Sequence, residues 1–249
     1  MSLSVIPVEG LPEVKPGDDL AALLERSLAR AAERLQDGDV LAIAQKIVSK
    51  AEGRVVPLAE VEPREEAQAL AAAHAKDPRV MELVLQESKR IVRAERGVII
   101  AETRHGFVCA NAGVDRSNAG APDAVVLLPL DPDASASRLR DELLRRTGAH
   151  VAVVVTDTFG RAWREGQTNV AIGMSGLDPF LKYVGQFDPD GYELRVTEIA
   201  LGDEIAAATE LVMGKLLRRP AAIVRGLRYA VADEGAKTYV RSPERDLFR

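Results

Sequence analysis

HVAVVVTDTFGRAWREGQTN, residues 150–169, is the stretch on which the reading of the fold turns. Residues 150–156 carry the strongest strand pattern in the chain. Val151, Ala152, Val153, Val154 and Val155 are apolar at successive positions, as in a central strand covered on both faces. The chemistry then changes abruptly: Asp157 and Thr158 open a polar segment that reads as a loop as far as Asn169 and holds the only tryptophan, Trp163. A carboxylate at the end of a buried strand costs stability unless a cation or hydrogen-bond donors meet it, and ligands gather at such strand ends. Asp157 is therefore either a metal ligand or the cap of a strand. Arg161 and Arg164 around Trp163 form either an anion and ring-stacking corner or a guanidinium packed on an indole.

Working outward, 124–128 and 221–225 read as further strands, and 90–107 as two or three strands joined by tight turns. Residues 135–147 form a helix pattern closed by Gly148, with Arg145 and Arg146 near its negative end. Residues 198–217 give a second helix with a broad apolar face. Toward the N-terminus, Asp18 or Asp19 caps a helix carrying Leu20, Leu24 and Leu28, and Asp77-Pro78 begins another after the Ala- and Glu-rich segment 63–74. Residues 40–44 are a short buried strand running into a charged loop, 45–53, that contains Gln45, Lys46 and Lys50. The segment 111–122, rich in Asn, Asp, Ser, Gly and Pro, turns repeatedly and exposes Asp115. No repeat, linker or domain boundary is visible.

Composition narrows the function. The 249 residues, 47% hydrophobic and 29% charged, support a folded core. No apolar run approaches the ~18–20 residues of a membrane helix, and the N-terminus lacks a basic secretory region, so the expectation is a cytoplasmic protein with no membrane partner. A formal charge of −5 and few aromatics argue against nucleic acid. Cys109 is the only cysteine, so an internal disulfide and a Cys-rich metal site are excluded, and any metal must sit on oxygen or on the few histidines. Of the 33 basic residues only eight are Lys, which gives a Lys next to a loop more weight than an Arg.

Familiar motifs are absent. Gly214-Lys215 is followed by Leu216, with Thr209 where a P-loop has Gly, and neither G-x-G-x-x-G, G-x-S-x-G nor H-E-x-x-H occurs. What remains is a pair of acidic segments. Asp115 and Asp157 could share a divalent ion that prefers hard oxygen ligands, with Thr158 adding a hydroxyl or carbonyl and phosphate completing the shell; Asp115 could equally form an Asx-turn. Lys46 and Lys50, four residues apart, could aim ammonium groups at a polyphosphate or lie on a solvated face.

The segments GLPEVKPGDDL (10–20), VSKAEGR (48–54), NAGVDRSN (111–118), VVVTDTFGRAWREGQTNVAIG (153–173) and RVTEIALGDEIAAATELVMGK (195–215) together resemble the coenzyme F420-0:L-glutamate ligase (γ-glutamyl ligase) family, over most of the chain. The resemblance implies a mixed α/β (α+β) fold particular to that family, neither Rossmann nor P-loop, in an intertwined homodimer. It implies residues 1–249 as a single ligase unit, with two subdomains possible and no C-terminal reductase domain. The activity implied is GTP-dependent addition of L-glutamate, through its amine, to the carboxylate of F420-0 or dehydro-F420-0 by way of an acyl phosphate, in coenzyme F420 biosynthesis. Mg²⁺ or Mn²⁺ is implied as the metal, and K⁺ is a further candidate ion.

By the same resemblance Leu11, Pro12, Glu13, Val14, Gln45, Lys46, Lys50, Asn118, Met213 and Gly214 would bind nucleotide. Asp115, Asp157 and Thr158 would hold metal, and Asp115, Asp157 and Lys50 would carry catalysis. One departure stands out: Lys215 follows Met213-Gly214 where a metal-ligating Gln is expected, and an ammonium cannot ligate a metal. No general base is obvious. The rival readings are a metal-dependent ligase or phosphotransferase acting on another carboxylate, and a non-catalytic deazaflavin-binding protein.

Overall fold

The structure, a computed structural model, describes residues 2–247. In chain order its elements are β1 (Ser4–Pro7), α1 (Leu20–Arg30), β2 (Val40–Ala44), α2 (Gln45–Ala51), β3 (Val55–Pro57), α3 (Glu65–His74), α4 (Pro78–Glu87), β4 (Ser88–Glu95), β5 (Val98–Thr103), β6 (Val108–Ala110), β7 (Ala124–Val126), α5 (Pro132–Thr147), β8 (Ala152–Arg161), β9 (Arg164–Ser175), β10 (Phe180–Lys182), β11 (Glu198–Ala200), α6 (Leu201–Met213) and β12 (Ala221–Arg225). The architecture is mixed α and β.

A five-stranded sheet in the order β1-β12-β2-β8-β9 organises the chain. Only β2 and β8 run parallel; every other neighbouring pair in this sheet is antiparallel. Side chains alternate across it as a period of two requires. Leu41, Ile43, Val153, Val155 and Ile223 enter a core that includes Leu24 and Leu28 of α1 and Leu139 and Leu143 of α5. Val40, Ala42, Ala152, Val154 and Val224 face the opposite way, toward Leu201 and Ile205 of α6. Both faces of β8 are thus covered, which is why its sequence is continuously apolar. A second layer, the antiparallel sheet β4-β5-β6 with α3 and α4, has its own apolar cluster around Met81, Val84, Ile99 and Ala101. The short pair β3-β7 contributes Val125 to that cluster.

The local signals read from sequence act as their chemistry requires. Asp19 caps α1, accepting from the Ala22 N–H; Asp77 caps α4 with Pro78 at its first position; and α5 ends on Gly148 at φ 72°. Three segments differ from expectation. Residues 45–51 form α2 rather than a loop, because Ile47, Val48 and Ala51 recur at helical spacing and pack into the main core. The polar stretch after Thr156 is not a loop either: β8 continues to Arg161 and pairs with β9, with Thr158 opposite Asn169 and Phe159 opposite Thr168. Its β-branched and aromatic residues favour this extended pairing. The helix expected over 198–217 is confined to α6, because 198–200 pair with β10 instead.

Between Val155 and Thr156 the β8-β9 register shifts, so that Val155 faces Gly173 while Thr156 faces Ala171. A bulge of this kind re-aims the side chains that follow it, and Asp157 is the next residue. No helix among the described residues is long and apolar enough to cross a membrane. Gly173 sits where a Cβ would lie 2.4 Å from the backbone of Pro132 at the start of α5. Gly173→Ala should therefore destabilise by about 1–3 kcal/mol, measured as a fall in thermal midpoint; an unchanged midpoint would show that α5 does not press on β9 in this way.

Candidate active site

The parallel pair β2-β8 sets the site. Ala44, the last residue of β2, lies opposite Thr156, so the parallel pairing ends there and the two strands separate. One turns directly into α2 and presents Lys46; the other goes on to Asp157 and Thr158. This is the strand-end position at which ligands bind in sheets with parallel strands.

Asp115 is delivered from the other layer. Its backbone exchanges two hydrogen bonds with Val126 of β7, at 3.1 and 2.8 Å. The turn before it needs left-handed backbone at Asn111, Ala112 and Gly113. At Gly113 only glycine fits, since a Cβ would lie 2.6 Å from Leu128 Cγ. The Asp115 carboxylate accepts from the Ser117 N–H at 2.7 Å and the Ser117 hydroxyl at 3.0 Å, so the Asx-turn reading is realised. The same carboxylate also meets Lys46 Nζ at 2.7 Å. Lys46 in turn donates to Ser117 Oγ at 2.5 Å. Turn and cationic contact coexist on one side chain.

Asp157 and Asp115 lie within each other's field. Burial pushes the Asp157 carboxyl up to about 6; a hydrogen bond from the Thr158 N–H opposes this, as does Lys46, while Asp115 reinforces it and Lys215 opposes it. For Asp115, burial is outweighed by the hydrogen bond and charge of Lys46 and by the Ser117 donors, which hold its carboxyl below the usual range. Cys109 is buried beside this pair, and desolvation together with the Asp157 charge pushes its thiol up to about 12. It is a core side chain with an unreactive thiol.

A second contact group adjoins the first. Lys50, buried, holds Glu13 in a short ion pair. A Cβ at Gly120 would lie 3.5 Å from Glu13 Oε1 and 3.6 Å from Lys50 Nζ, so the loop after Asp115 closes over this pair. Neither lysine of α2 lies on a solvated face. The segment containing Leu11, Pro12, Glu13 and Val14 is docked by buried Val14 and by the Gly17 N–H bonded to the Ala51 carbonyl at the end of α2. Gln45 is buried, and its side-chain oxygen accepts from Ser49 at 2.8 Å. Asn118 is exposed in left-handed backbone. Met213 is buried at the end of α6, and Gly214 closes that helix. Arg161, Trp163 and Arg164 lie at the exposed tip of the β8-β9 hairpin, with Arg161 bonded to the Glu165 carbonyl.

Two participants, Asn169 and Glu210, carry no signal of their own in the sequence. Thr158 bonds Asn169 at 2.6 Å, Asn169 bonds Glu210 at 3.0 Å, and Lys215 donates to Thr158. The signal for Asn169 lies in the hairpin pairing, which a loop reading of 157–169 conceals. Asp115, Asp157 and Thr158 offer hard oxygen donors suited to Mg²⁺ or Mn²⁺. Among the described residues no group of three or more His, Cys, Asp or Glu side chains is gathered to hold a metal. Such an ion would therefore need phosphate oxygens and water to complete its shell.

Comparison with known proteins gives a consistent picture. The family model described as F420-0:Gamma-glutamyl ligase matches residues 10–226. Over its whole length the chain is 49% identical to a Methanopyrus kandleri protein, covering 98% of it, and 45% identical to one from Methanothermobacter thermautotrophicus, covering 100%. It is 42% identical to a third, from Archaeoglobus fulgidus, covering 97%. All three carry the name coenzyme F420:L-glutamate ligase.

The raised Asp157 carboxyl carries a stability signature. The folded chain binds this proton more tightly than the unfolded one, so stability falls as pH rises from about 4 through 6. Asp157→Asn should raise the thermal midpoint at pH 7.5 by an amount corresponding to about 1–3 kcal/mol. The gain should shrink toward pH 4.5, where the native carboxyl is already protonated. A midpoint that falls equally at both pH values would contradict the reading of Asp157 as a carboxylate desolvated by burial.

Proposed function

The chain belongs to the F420-0:gamma-glutamyl ligase family, and from that premise we propose that it joins L-glutamate in amide linkage to the carboxylate of F420-0 or its dehydro form, with GTP as the phosphoryl donor. The observation that carries this reading is the convergence of Asp115, Lys46, Asp157 and Thr158 where the parallel pairing of β2 with β8 ends, with Lys50 one helical turn away.

The chemistry asked of such a site is largely electrostatic. A carboxylate is a poor electrophile, so an oxygen of the acceptor carboxylate attacks the γ-phosphorus of GTP, the bond to the β-γ bridging oxygen breaks, and GDP departs. The glutamate amine then attacks the acyl carbon of the resulting acyl phosphate, loses a proton, and expels phosphate. Lys50 and Lys46 bind and orient phosphate oxygens with fixed positive charge. Glu13 holds the Lys50 ammonium in place, and Asn118, Gln45 and the segments at Leu11, Pro12, Val14, Met213 and Gly214 form the nucleotide surroundings. Asp115, Asp157 and Thr158 would hold Mg²⁺ or Mn²⁺, which would neutralise phosphate charge when bound.

We further propose a homodimer. Phe187, Val196, Leu211 and Leu216 are each more than two-thirds exposed, apolar side chains that a second copy could cover.

Incubation with GTP, Mn²⁺, L-glutamate and F420-0 should release GDP only when the deazaflavin is present and give a product heavier by one glutamate residue, read by mass spectrometry. GTP turnover indifferent to the deazaflavin, or deazaflavin binding without GDP release, would contradict the assignment. Asp157→Asn should lower kcat by about 30- to 1000-fold, equivalent to ~2–4 kcal/mol of transition-state stabilisation. Near-normal rates at saturating metal would refute its role. Lys50→Ala should raise KM for GTP more than for the deazaflavin; equal losses would assign Lys50 a general structural part.

A further inference from the structure

The hydrogen bonds around Thr158 have only one possible direction. Glu210 can only accept, so the group Asn169 turns toward it at 3.0 Å is its NH₂, which leaves the amide oxygen facing Thr158. That oxygen, 2.6 Å away, takes the Thr158 hydroxyl proton. Lys215 has only donors, so its ammonium donates to the lone-pair side of the same hydroxyl. Thr158 Oγ1 is therefore aimed, by Asn169 and Glu210, to receive positive charge, and Lys215 provides it.

The approach of Lys215 is built into the chain. Gly214 ends α6 at φ 57°, ψ 147°, a backbone conformation that side-chain-bearing residues rarely adopt. The turn it allows brings Lys215 back onto β8. One ammonium then serves each carboxylate of the pair: Lys46 touches Asp115, and Lys215 stands on the residue next to Asp157.

We propose that Lys215 is a tethered cation occupying the Thr158 hydroxyl, so that this protein holds with its nucleotide a single divalent ion, on Asp115, Asp157 and the Thr158 carbonyl, and excludes a second one at that hydroxyl by like-charge repulsion. The inference rests on the metal and nucleotide reading proposed above. Lys215 acts here as a positioning residue: it fixes the orientation of Thr158 and adds a permanent charge that no chelator removes.

The test is the number of Mn²⁺ ions bound per chain in the presence of GDP, from the electron paramagnetic resonance signal of free Mn²⁺ during titration. Wild-type protein should bind one. Lys215→Gln, which replaces the ammonium with a neutral amide whose oxygen can ligate, should bind two, while Lys215→Arg, which keeps the charge, should remain at one. Two ions in the wild type, equal numbers in wild type and Lys215→Gln, or two in Lys215→Arg would overturn the tethered-cation inference and leave the metal-assisted reading standing. No bound Mn²⁺ in wild type or in Lys215→Gln would overturn both.

Discussion

Two carboxylates held in one another's field, at the point where a doubly covered sheet opens to solvent, are the constraint around which the rest of the molecule is arranged. Asp157 is fixed by β8, whose residues 152–156 are buried, and Asp115 by a glycine-dependent turn anchored on β7. Neither could relax away without breaking register with its neighbours. Burial raises the Asp157 carboxyl and the charge of Asp115 adds to the shift; ammonium groups from two other elements, α2 and the turn after α6, oppose it. On the metal-assisted reading proposed above, this pair of carboxylates is what would draw a divalent cation to the nucleotide phosphates.

The division of labour between the basic residues follows from their chemistry. Arginines brace the scaffold through planar, often multiple contacts: Arg225 joins Asp39 and Glu33, Arg54 joins Glu87, and Arg64 joins buried Glu82. Lysines, compact point charges on flexible stems, are few, and Lys46, Lys50 and Lys215 all lie at the candidate site. A chain of net charge −5 can therefore still present positive potential to a polyanion, because the charge is placed locally.

Much of the scaffold is legible in the sequence because its signals are local. The apolar run of β8, the Asp19 and Asp77 caps, Pro78 and Gly148 each act within a few residues. The failures concern segments whose conformation depends on distant partners. Residues 157–169 have the polar composition of a loop but are extended because β8 and β9 pair with each other there. Residues 45–51 look like a charged loop until the core that receives Ile47 and Val48 is present. In the site, the lysine partners of the aspartates could not be read from spacing, since Lys46 and Asp115 are brought together only by the packing of α2 against the β7 region. The Thr158-Asn169-Glu210 chain depends on that same β8-β9 pairing and has no local signal of its own.

The central claim is that Asp115 and Asp157 grip a single cation together with a triphosphate nucleotide. Anomalous scattering from a crystal soaked with Mn²⁺ and GDP tests it most directly. A manganese peak between the two carboxylates is expected, with GDP phosphate oxygens in its shell and Lys50 against the phosphates. Nucleotide bound elsewhere, or well-ordered carboxylates at 115 and 157 with no ion between them, would contradict it.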